Sequence, residues 1–166
     1  YKTHKAFMGH CRSATLGKVT EDNAHPFEVE ESLIGMHNGT IRGQFEGSGD
    51  FETDSEAFFN LLSHNKLDIE KTINDVKQKA LSMAYCFIYY DWAAREINIV
   101  RNSERSLYSL DFKVGSNTLF CSESGMGKAC MERNKMAYEN VEPVPSDVLH
   151  TIKMDEPTTI TTTRLD

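Results

Sequence analysis

Residues 84 to 90 have the sequence Ala84-Tyr85-Cys86-Phe87-Ile88-Tyr89-Tyr90, a continuous apolar and aromatic run. A half-exposed strand alternates apolar and polar side chains, whereas a strand that is covered on both faces is apolar throughout. The run therefore predicts a strand with other layers of the protein packed on each side.

Two helices are predicted just before this strand. Thr53-Asp54-Ser55-Glu56 is a capping box, in which a hydroxyl residue is followed by glutamate three positions later. The second helix carries Ile69, Ile73, Val76 and Ala80, and their spacing of four, three and four is the helical period. A short turn is expected between the two helices.

Other stretches predict further strands and one more helix. Strands are expected at residues 6–15, 33–37, 97–99, 107–112 and 117–121, with one or two more between 141 and 154, and a helix at 122–134. The Asn38-Gly39 pair, a common turn sequence, is expected to end the second of these strands. Helices grouped between buried strands favour an α+β fold, in which sheets pack on each other and helices flank them.

The composition fits one globular domain. The 166 residues carry a net charge of -7, and no block of lysine or arginine marks a nucleic-acid surface. No apolar run approaches the roughly 18 residues of a membrane span. The four cysteines form no CxxC pair, which favours reduced thiols in a cytosolic protein. We expect a domain at residues 1–157 and a threonine-rich terminal arm at 158–166.

Four short stretches carry the residues suited to chemistry. They are residues 9–15 (GHCRSAT), 23–27 (NAHPF), 37–41 (HNGTI) and 54–56 (DSE). Each has a structural interpretation on its own, since Asn-Gly favours turns and aspartate favours a helix N-terminus. Together and in this order they resemble class II glutamine amidotransferases, which release ammonia from glutamine.

Two later stretches extend the resemblance over residues 9 to about 145. Residues 100–107 are similar to the family's arginine-containing hairpin, and residues 120–123 (FCSE) are similar to its F-[AC]-S-E strand end. The resemblance implies a fold like that of N-terminal nucleophile hydrolases, an αββα four-layer sandwich of two mostly antiparallel sheets flanked by helices. The motif combination is most similar to compact stand-alone members of the kind that phages encode.

The resemblance also implies which residues bind the two charged groups of glutamine. Arg12 matches the arginine that holds the α-carboxylate, a task suited to a planar guanidinium because it donates two parallel hydrogen bonds. Asp54 matches the carboxylate that pairs with the α-ammonium group. Thr15 and His25 match positions beside the glutamine pocket, and for His25 the alternative is a structural role in holding the loop before Pro26.

The reaction implied is acyl transfer, in which the amide oxygen of glutamine becomes an oxyanion. By resemblance, its hydrogen-bond donors are the side-chain amide of Asn38 and the backbone N–H of Gly39. Loss of one such donor costs on the order of 100- to 1000-fold in rate.

The family's nucleophile is a cysteine at the mature N-terminus, whose α-amino group acts as the base. Residue 1 of this chain is tyrosine, and no cysteine is N-terminal. The abrupt start at Tyr1 suggests a fragment, a processed product or a missing first segment, so the cysteine is expected upstream. Cys11 lies beside Arg12, but it matches a variable position, and strand alternation is expected to point it away from the arginine.

Two alternatives stay open. A domain without its nucleophile would be a catalytically inactive pseudoenzyme that serves as a binding or structural module. A metallohydrolase would use His10, His25 and His37 as ligands, but their spacing is not that of a helical ligand pair and the ligand set is small. Neither a metal nor a cofactor is therefore expected.

The expected partner is L-glutamine. A separate ammonia-accepting protein is a candidate second partner, while nucleic acid and membranes are not expected. The sequence leaves open whether the protein forms a homo-oligomer. The predicted location is the cytoplasm, or the host cytoplasm or virion if a phage encodes the protein.

Overall fold

The computed structural model describes residues 5–11, 17–115, 117–154 and 159–165. These residues form an α+β fold of two antiparallel sheets and three helices, as predicted. No helix among them has both the length and the apolar character of a membrane span. The strands are β1 (Phe27–Val29), β2 (Leu33–Arg42), β3 (Ser82–Asp91), β4 (Glu96–Arg101), β5 (Tyr108–Phe112), β6 (Thr118–Cys121), β7 (Tyr138–Pro143), β8 (Val148–Lys153) and β9 (Ile160–Arg164). The helices are α1 (Asp54–His64), α2 (Ile69–Lys79) and α3 (Ser124–Arg133).

The six-stranded sheet has the order β1-β2-β3-β4-β8-β9, and the three-stranded sheet has the order β6-β5-β7. β2 and β3 pair along their whole length, from Leu33 opposite Asp91 to Arg42 opposite Ser82. β1, in contrast, pairs only with residues 33–35 of β2. Beyond that point, no strand among the described residues lies against the outer edge of β2.

β3 is the strand that the apolar run predicted, and both of its faces are covered. Tyr85 and Phe87 face α1 and α2 and are 1% and 0% exposed. Cys86 and Ile88 face the opposite way, toward the three-stranded sheet. Phe87 stacks on Phe58 of α1 with 3.9 Å between the ring centroids. The continuous apolar run is thus explained by a layer of protein on each side.

Four layers result from this packing. α1 and α2 cover one face of the six-stranded sheet, and the three-stranded sheet covers the other. Ile99, Leu107 and Val144 form the core between the sheets. α3 packs on the three-stranded sheet, where Leu110 is fully buried against Gly127. This is the αββα arrangement that the resemblance implied.

Both helix predictions that preceded β3 are confirmed. The Thr53 side chain accepts a hydrogen bond from the N–H of Glu56 at 3.2 Å, which is one half of the capping box. Ile69, Ile73 and Val76 form the buried face of α2. The positions of α1 and α2 follow from local sequence, because caps and apolar spacing are local properties.

Two predictions of local structure were wrong. Residues 6–11 form no strand, and residues 12–16 lie outside the described part of the chain. The Asn38-Gly39 pair does not end β2, which continues to Arg42. The reason is that β3 offers β2 a partner over its full length, and tertiary pairing outweighs local turn preference. The described part of the threonine-rich segment forms β9, which pairs with β8.

Candidate active site

A cleft of about 570 Å³ opens where the two sheets meet the start of α1. β2 and β3 form one wall, the segment before β5 and the end of β6 form the other, and residues 9–11 lie at the border. The predicted site residues that line this cleft are His25, Asn38, Gly39 and Asp54. Arg12 and Thr15 lie outside the described residues.

The backbone N–H of Gly39 points to the outer edge of β2. Gly39 lies opposite Tyr85 of β3. The N–H of Tyr85 donates to the side-chain oxygen of Asn102 at 3.1 Å, and the carbonyl of Tyr85 accepts from the backbone N–H of Asn102 at 3.0 Å. Opposite residues in an antiparallel pair exchange either both backbone bonds or neither, so Gly39 also faces away from β3. Ile41 faces the same way and donates its N–H to Asp54. The Gly39 N–H is therefore presented at the open edge of the sheet beside the cleft.

Position 39 has no room for a side chain. A Cβ atom built there would collide with the carbonyl group of Ala84 and with Nε2 of His37. Glycine is thus required at this position because the backbone of β2 passes too close to its neighbours for any other residue.

Asn38 precedes this glycine and is half-buried. Successive side chains of a strand point to opposite faces, so Asn38 lies on the same face as Met36 and Thr40, which also line the cleft. The side-chain amide of Asn38 and the N–H of Gly39 consequently border the same space. Two donors with this arrangement are suited to a negatively charged oxygen.

Asp54 is the first residue of α1, placed there by the Thr53 cap. Its Oδ2 accepts the N–H of Ile41 with 2.6 Å between the two atoms. Burial raises the pKa of the Asp54 carboxyl above its ordinary value, and the hydrogen bonds from the backbone N–H groups of Ile41 and Ser55 oppose this shift. The side chain is half-buried at the edge of the cleft, where a carboxylate can accept hydrogen bonds from a ligand's ammonium group.

His37 lies beneath Gly39 and is 2% exposed. Burial lowers the pKa of His37 to about 3, so the imidazole is neutral at neutral pH. Nε2 lies 3.3 Å from the carbonyl oxygen of Ala84, and Nδ1 lies 3.0 Å from the hydroxyl oxygen of Ser55. Because a carbonyl can only accept, Nε2 carries the proton, and Nδ1 accepts from the Ser55 hydroxyl.

Sequence reasoning did not assign Ser55 or Arg105 to the site, although both line the cleft. Ser55 could have been found from the D-S-E stretch, since a capping box places its hydroxyl in the first turn of α1 beside Asp54. Arg105 lies in the stretch that resembles the family hairpin. Its Nη1 donates to the carbonyl of Glu104 at 3.4 Å, while its buried Nε has no hydrogen-bond partner among the described residues.

The three histidines considered as metal ligands have different environments. The rings of His10 and His25 are 4.3 Å apart, and His25 meets the ring of Phe27 edge-on. His37 has both ring nitrogens directed at protein oxygens, which leaves neither for a metal. Within the described residues, no group of three or more His, Cys, Asp or Glu side chains could hold a metal ion.

Three of the four cysteines line the cleft, and they differ in exposure. Cys86 is buried between the sheets, and burial raises the pKa of its thiol to about 12. A thiol with that pKa is protonated and unreactive at neutral pH. Cys11 is exposed and Cys121 is half-buried.

No family model matches the chain. Its sequence is 30% identical over 112 residues to the glutamine–fructose-6-phosphate aminotransferase (isomerizing) of Streptococcus pneumoniae serotype 4, covering 60% of this chain. It is 32% identical over 114 residues to the protein of the same name from Lactococcus lactis, covering 61% of this chain. Both alignments cover 19% of the relative, so the chain spans about a fifth of the length of these curated relatives.

Solved structures share the fold at low sequence identity. A glutamine phosphoribosylpyrophosphate amidotransferase from B. subtilis has a TM-score of 0.60 and 15% identity, over 95% of this chain and 34% of that chain. A glutamine aminotransferase class-II domain protein from Silicibacter pomeroyi has a TM-score of 0.54 and 16% identity, over 88% of this chain and 72% of that chain. Sequence relatives and fold neighbours therefore agree on one type of domain.

Proposed function

We propose, from the premise that this chain is a domain of class II glutamine amidotransferase type, that its cleft binds L-glutamine and that the complete protein releases ammonia from it. The observation that carries the proposal is the convergence of Asn38, Gly39 and Asp54 on one cleft. Two donors for an oxyanion and one carboxylate for an ammonium group are the complement of an amino acid with a side-chain amide.

In this proposal both ends of the amino-acid group are held by charge. The Asp54 carboxylate pairs with the α-ammonium, and the Arg12 guanidinium holds the α-carboxylate by two parallel hydrogen bonds. Thr15 and His25 lie beside the bound substrate. When that end of glutamine is fixed, the side-chain amide lies beside the oxyanion donors. Holding the reacting groups in this orientation lowers the entropic part of the activation barrier.

The chemistry proceeds through a glutamyl-thioester. A cysteine thiolate attacks the amide carbon, and the carbonyl oxygen becomes an oxyanion that accepts hydrogen bonds from Asn38 and Gly39. The C–N bond then breaks, the nitrogen takes up a proton and leaves as ammonia. Water hydrolyses the thioester to glutamate and regenerates the thiol.

The nucleophile in this mechanism combines a thiol with the α-amino group of the same N-terminal residue. The amine is an effective base near neutral pH because its pKa is about 7.7 to 8.0. The cysteines of this chain are residues 11, 86, 121 and 130, so the proposal assigns the nucleophile to a cysteine outside these 166 residues.

The fate of the ammonia is a further part of the proposal. The curated relatives are named as aminotransferases that act on fructose-6-phosphate, and they are about five times longer than the matched segment. We propose that a separate protein or domain accepts the ammonia. The unpaired state of all four cysteines supports a cytoplasmic location, in the host cell if a phage encodes the protein.

The test is ammonia release from L-glutamine by the full-length protein, followed with a glutamate dehydrogenase-coupled assay. We expect turnover with L-glutamine and none with D-glutamine, and loss of turnover in Asn38→Ala. Calorimetric titration with L-glutamine runs beside it. Binding without ammonia release would identify a pseudoenzyme, and the absence of both would overturn the proposal.

A further inference from the structure

Two hydrogen bonds fasten β2 to the first turn of α1, and they lie on either side of Gly39. On one side, Nδ1 of His37 accepts a hydrogen bond from the hydroxyl group of Ser55, with 3.0 Å between the nitrogen and the oxygen. On the other, the backbone N–H of Ile41 donates to the carboxylate of Asp54 at 2.6 Å. The two residues of β2 are each two positions from Gly39, and their partners are consecutive residues of α1. Gly39 is therefore at the centre of a strand segment that is tied to the helix at both ends.

The His37 tie is rigid because the ring is held from two directions. Its Nε2–H donates to the carbonyl of Ala84 in β3, while Nδ1 accepts from Ser55 in α1. Ala84 and Nε2 are also the groups that leave no space for a Cβ at Gly39. One buried imidazole thus links β3, α1 and the backbone that presents the Gly39 N–H.

We infer that His37 and Ser55 are positioning residues that fix the spacing between the Asp54 carboxylate and the Gly39 N–H, and so select glutamine over its shorter homologue asparagine. The inference rests on the proposed function, since it takes Asp54 as the ammonium partner and Gly39 as the oxyanion donor. Neither His37 nor Ser55 needs to touch the reacting atoms for this role.

The chemistry of the two amino acids explains why spacing would select between them. Asparagine has one methylene fewer, so an asparagine held at Asp54 presents its amide one methylene short of the Gly39 N–H. A misplacement of about 1 Å from the reactive geometry can cost on the order of 100-fold in rate. A rigid distance between the two groups therefore discriminates substrate length, and a loosened distance does not.

The experiment compares Ser55→Ala with the matched control Ser63→Ala in the full-length protein. Ser63 also lies on α1 and loses its hydroxyl hydrogen bond to Ser32 at 3.0 Å, but it does not line the cleft. Ser55→Ala removes the 3.0 Å bond to His37 and a longer contact of 3.5 Å with Oδ1 of Asp54, which makes the two His37 variants the test of the His37 tie alone. kcat and KM for ammonia release are measured for L-glutamine and L-asparagine. We expect Ser55→Ala to lower kcat for glutamine roughly 10- to 100-fold with KM changed less than about threefold, because binding at Asp54 persists while the amide is misplaced.

The specificity ratio separates positioning from a merely structural role. In Ser55→Ala, kcat/KM for glutamine relative to asparagine should fall by about tenfold or more, while Ser63→Ala keeps the wild-type ratio. Ser55→Thr, which retains a hydroxyl, should restore most of the ratio. The amide of His37→Asn lies near the position of Nδ1 and can accept from Ser55, whereas the longer side chain of His37→Gln carries its amide toward the position of Nε2. His37→Asn should therefore lose less of the ratio than His37→Gln.

The outcomes distinguish this inference from the proposed function. Wild-type protein that releases no ammonia from glutamine would overturn the proposed function and this inference with it. Active wild-type protein with the same glutamine-to-asparagine ratio in Ser55→Ala would overturn the inference alone. If Ser55→Ala does not fold, Ser55→Thr and the two His37 variants supply the same comparison, and an unchanged ratio in both His37 variants contradicts the inference.

Discussion

Asp54 and Ile41 are joined by a hydrogen bond from the backbone N–H of Ile41 to Oδ2 of Asp54, 2.6 Å long. This bond ties the first residue of α1 to the edge of β2 and holds the carboxylate at the border of the cleft. When the carboxyl is ionised, its half-buried position strengthens its attraction for a cation relative to a fully exposed carboxylate.

Asp54→Asn should weaken glutamine binding while preserving the fold. The amide oxygen of asparagine still accepts the Ile41 N–H, but the charge that pairs with the α-ammonium is gone. Hydrogen bonds to charged groups contribute about 1.5 to 3 kcal/mol, so Kd should rise about 10- to 150-fold. Calorimetry measures this, with the exposed Asp50→Asn as the control. Equal glutamine affinity in Asp54→Asn and Asp50→Asn would show that Asp54 does not bind the ammonium group.

The same carboxyl predicts a pH dependence of binding. Burial raises the pKa of Asp54, so the group takes up a proton at a higher pH than an ordinary aspartate. A protonated carboxyl no longer pairs with an ammonium, and glutamine affinity should therefore fall as the pH decreases through this raised pKa. Titrations from pH 7 to pH 4 should show the fall in wild type and a flatter profile in Asp54→Asn. Parallel profiles would contradict the assignment.

Asn38→Ala should abolish most turnover with little effect on folding. Removing one oxyanion donor is expected to lower kcat on the order of 100- to 1000-fold, because the donor acts mainly in the transition state. Glutamine affinity should change much less. Asn60→Ala is the control, since Asn60 lies on α1 and donates to the Glu56 carbonyl outside the cleft. A variant at position 38 with wild-type kcat would exclude Asn38 as a donor.

Gly39→Ala should destabilise the protein. The added methyl group meets the Ala84 carbonyl and the His37 ring, and overpacking of this kind costs about 1 to 3 kcal/mol. Gly125→Ala is the control, because a Cβ at that helical position meets open space and should stabilise α3 by about 0.5 to 1 kcal/mol. Urea unfolding gives both values. The two substitutions should change the free energy of unfolding in opposite directions. If Gly39→Ala leaves that free energy unchanged, the backbone can move to accommodate the methyl group beside Ala84 and His37.

His37 predicts that stability declines in acid. Its folded-state pKa is about 3, against a value near 6.5 in the unfolded chain, so between these values the unfolded state binds more protons. The neutral ring makes its full contribution to the free energy of unfolding above about pH 6.5. That free energy falls by up to about 1.4 kcal/mol per pH unit as the pH decreases toward 3. Urea unfolding of wild type and His37→Asn at several pH values measures the difference, and equal slopes would contradict it.

The cysteines predict a pattern of thiol reactivity. Cys11 and Cys130 are exposed and should react quickly with Ellman's reagent in the folded protein, whereas Cys86, with its pKa near 12, should react only after unfolding. Cys11→Ser should retain ammonia release, because the proposed nucleophile is an N-terminal cysteine. Loss of turnover in Cys11→Ser, with retained activity in Cys130→Ser, would instead show that Cys11 takes part in the reaction or in substrate binding.

Local patterns predicted much of the fold correctly. The Thr53 cap, the apolar face of α2 and the run from Ala84 to Tyr90 each correspond to an element of the structure. These predictions succeed because a helix cap, a helical spacing of apolar residues and a strand buried on both faces can each be recognised from a few neighbouring residues. The Asn38-Gly39 pair failed as a turn signal for the opposite reason, since the partner that extends it lies in β3, more than 40 residues away.

The type of domain and the chemical groups of the candidate site can be predicted from the motifs, because amide, glycine and carboxylate residues are visible there. The arrangement of the described site residues depends on how distant parts of the chain pack. Which way the Gly39 N–H points depends on the register of β2 against β3, and the spacing from Gly39 to Asp54 depends on ties to Ser55 and Ile41. Those contacts join residues that are distant along the chain, so their geometry is fixed only when the sheet and α1 pack together.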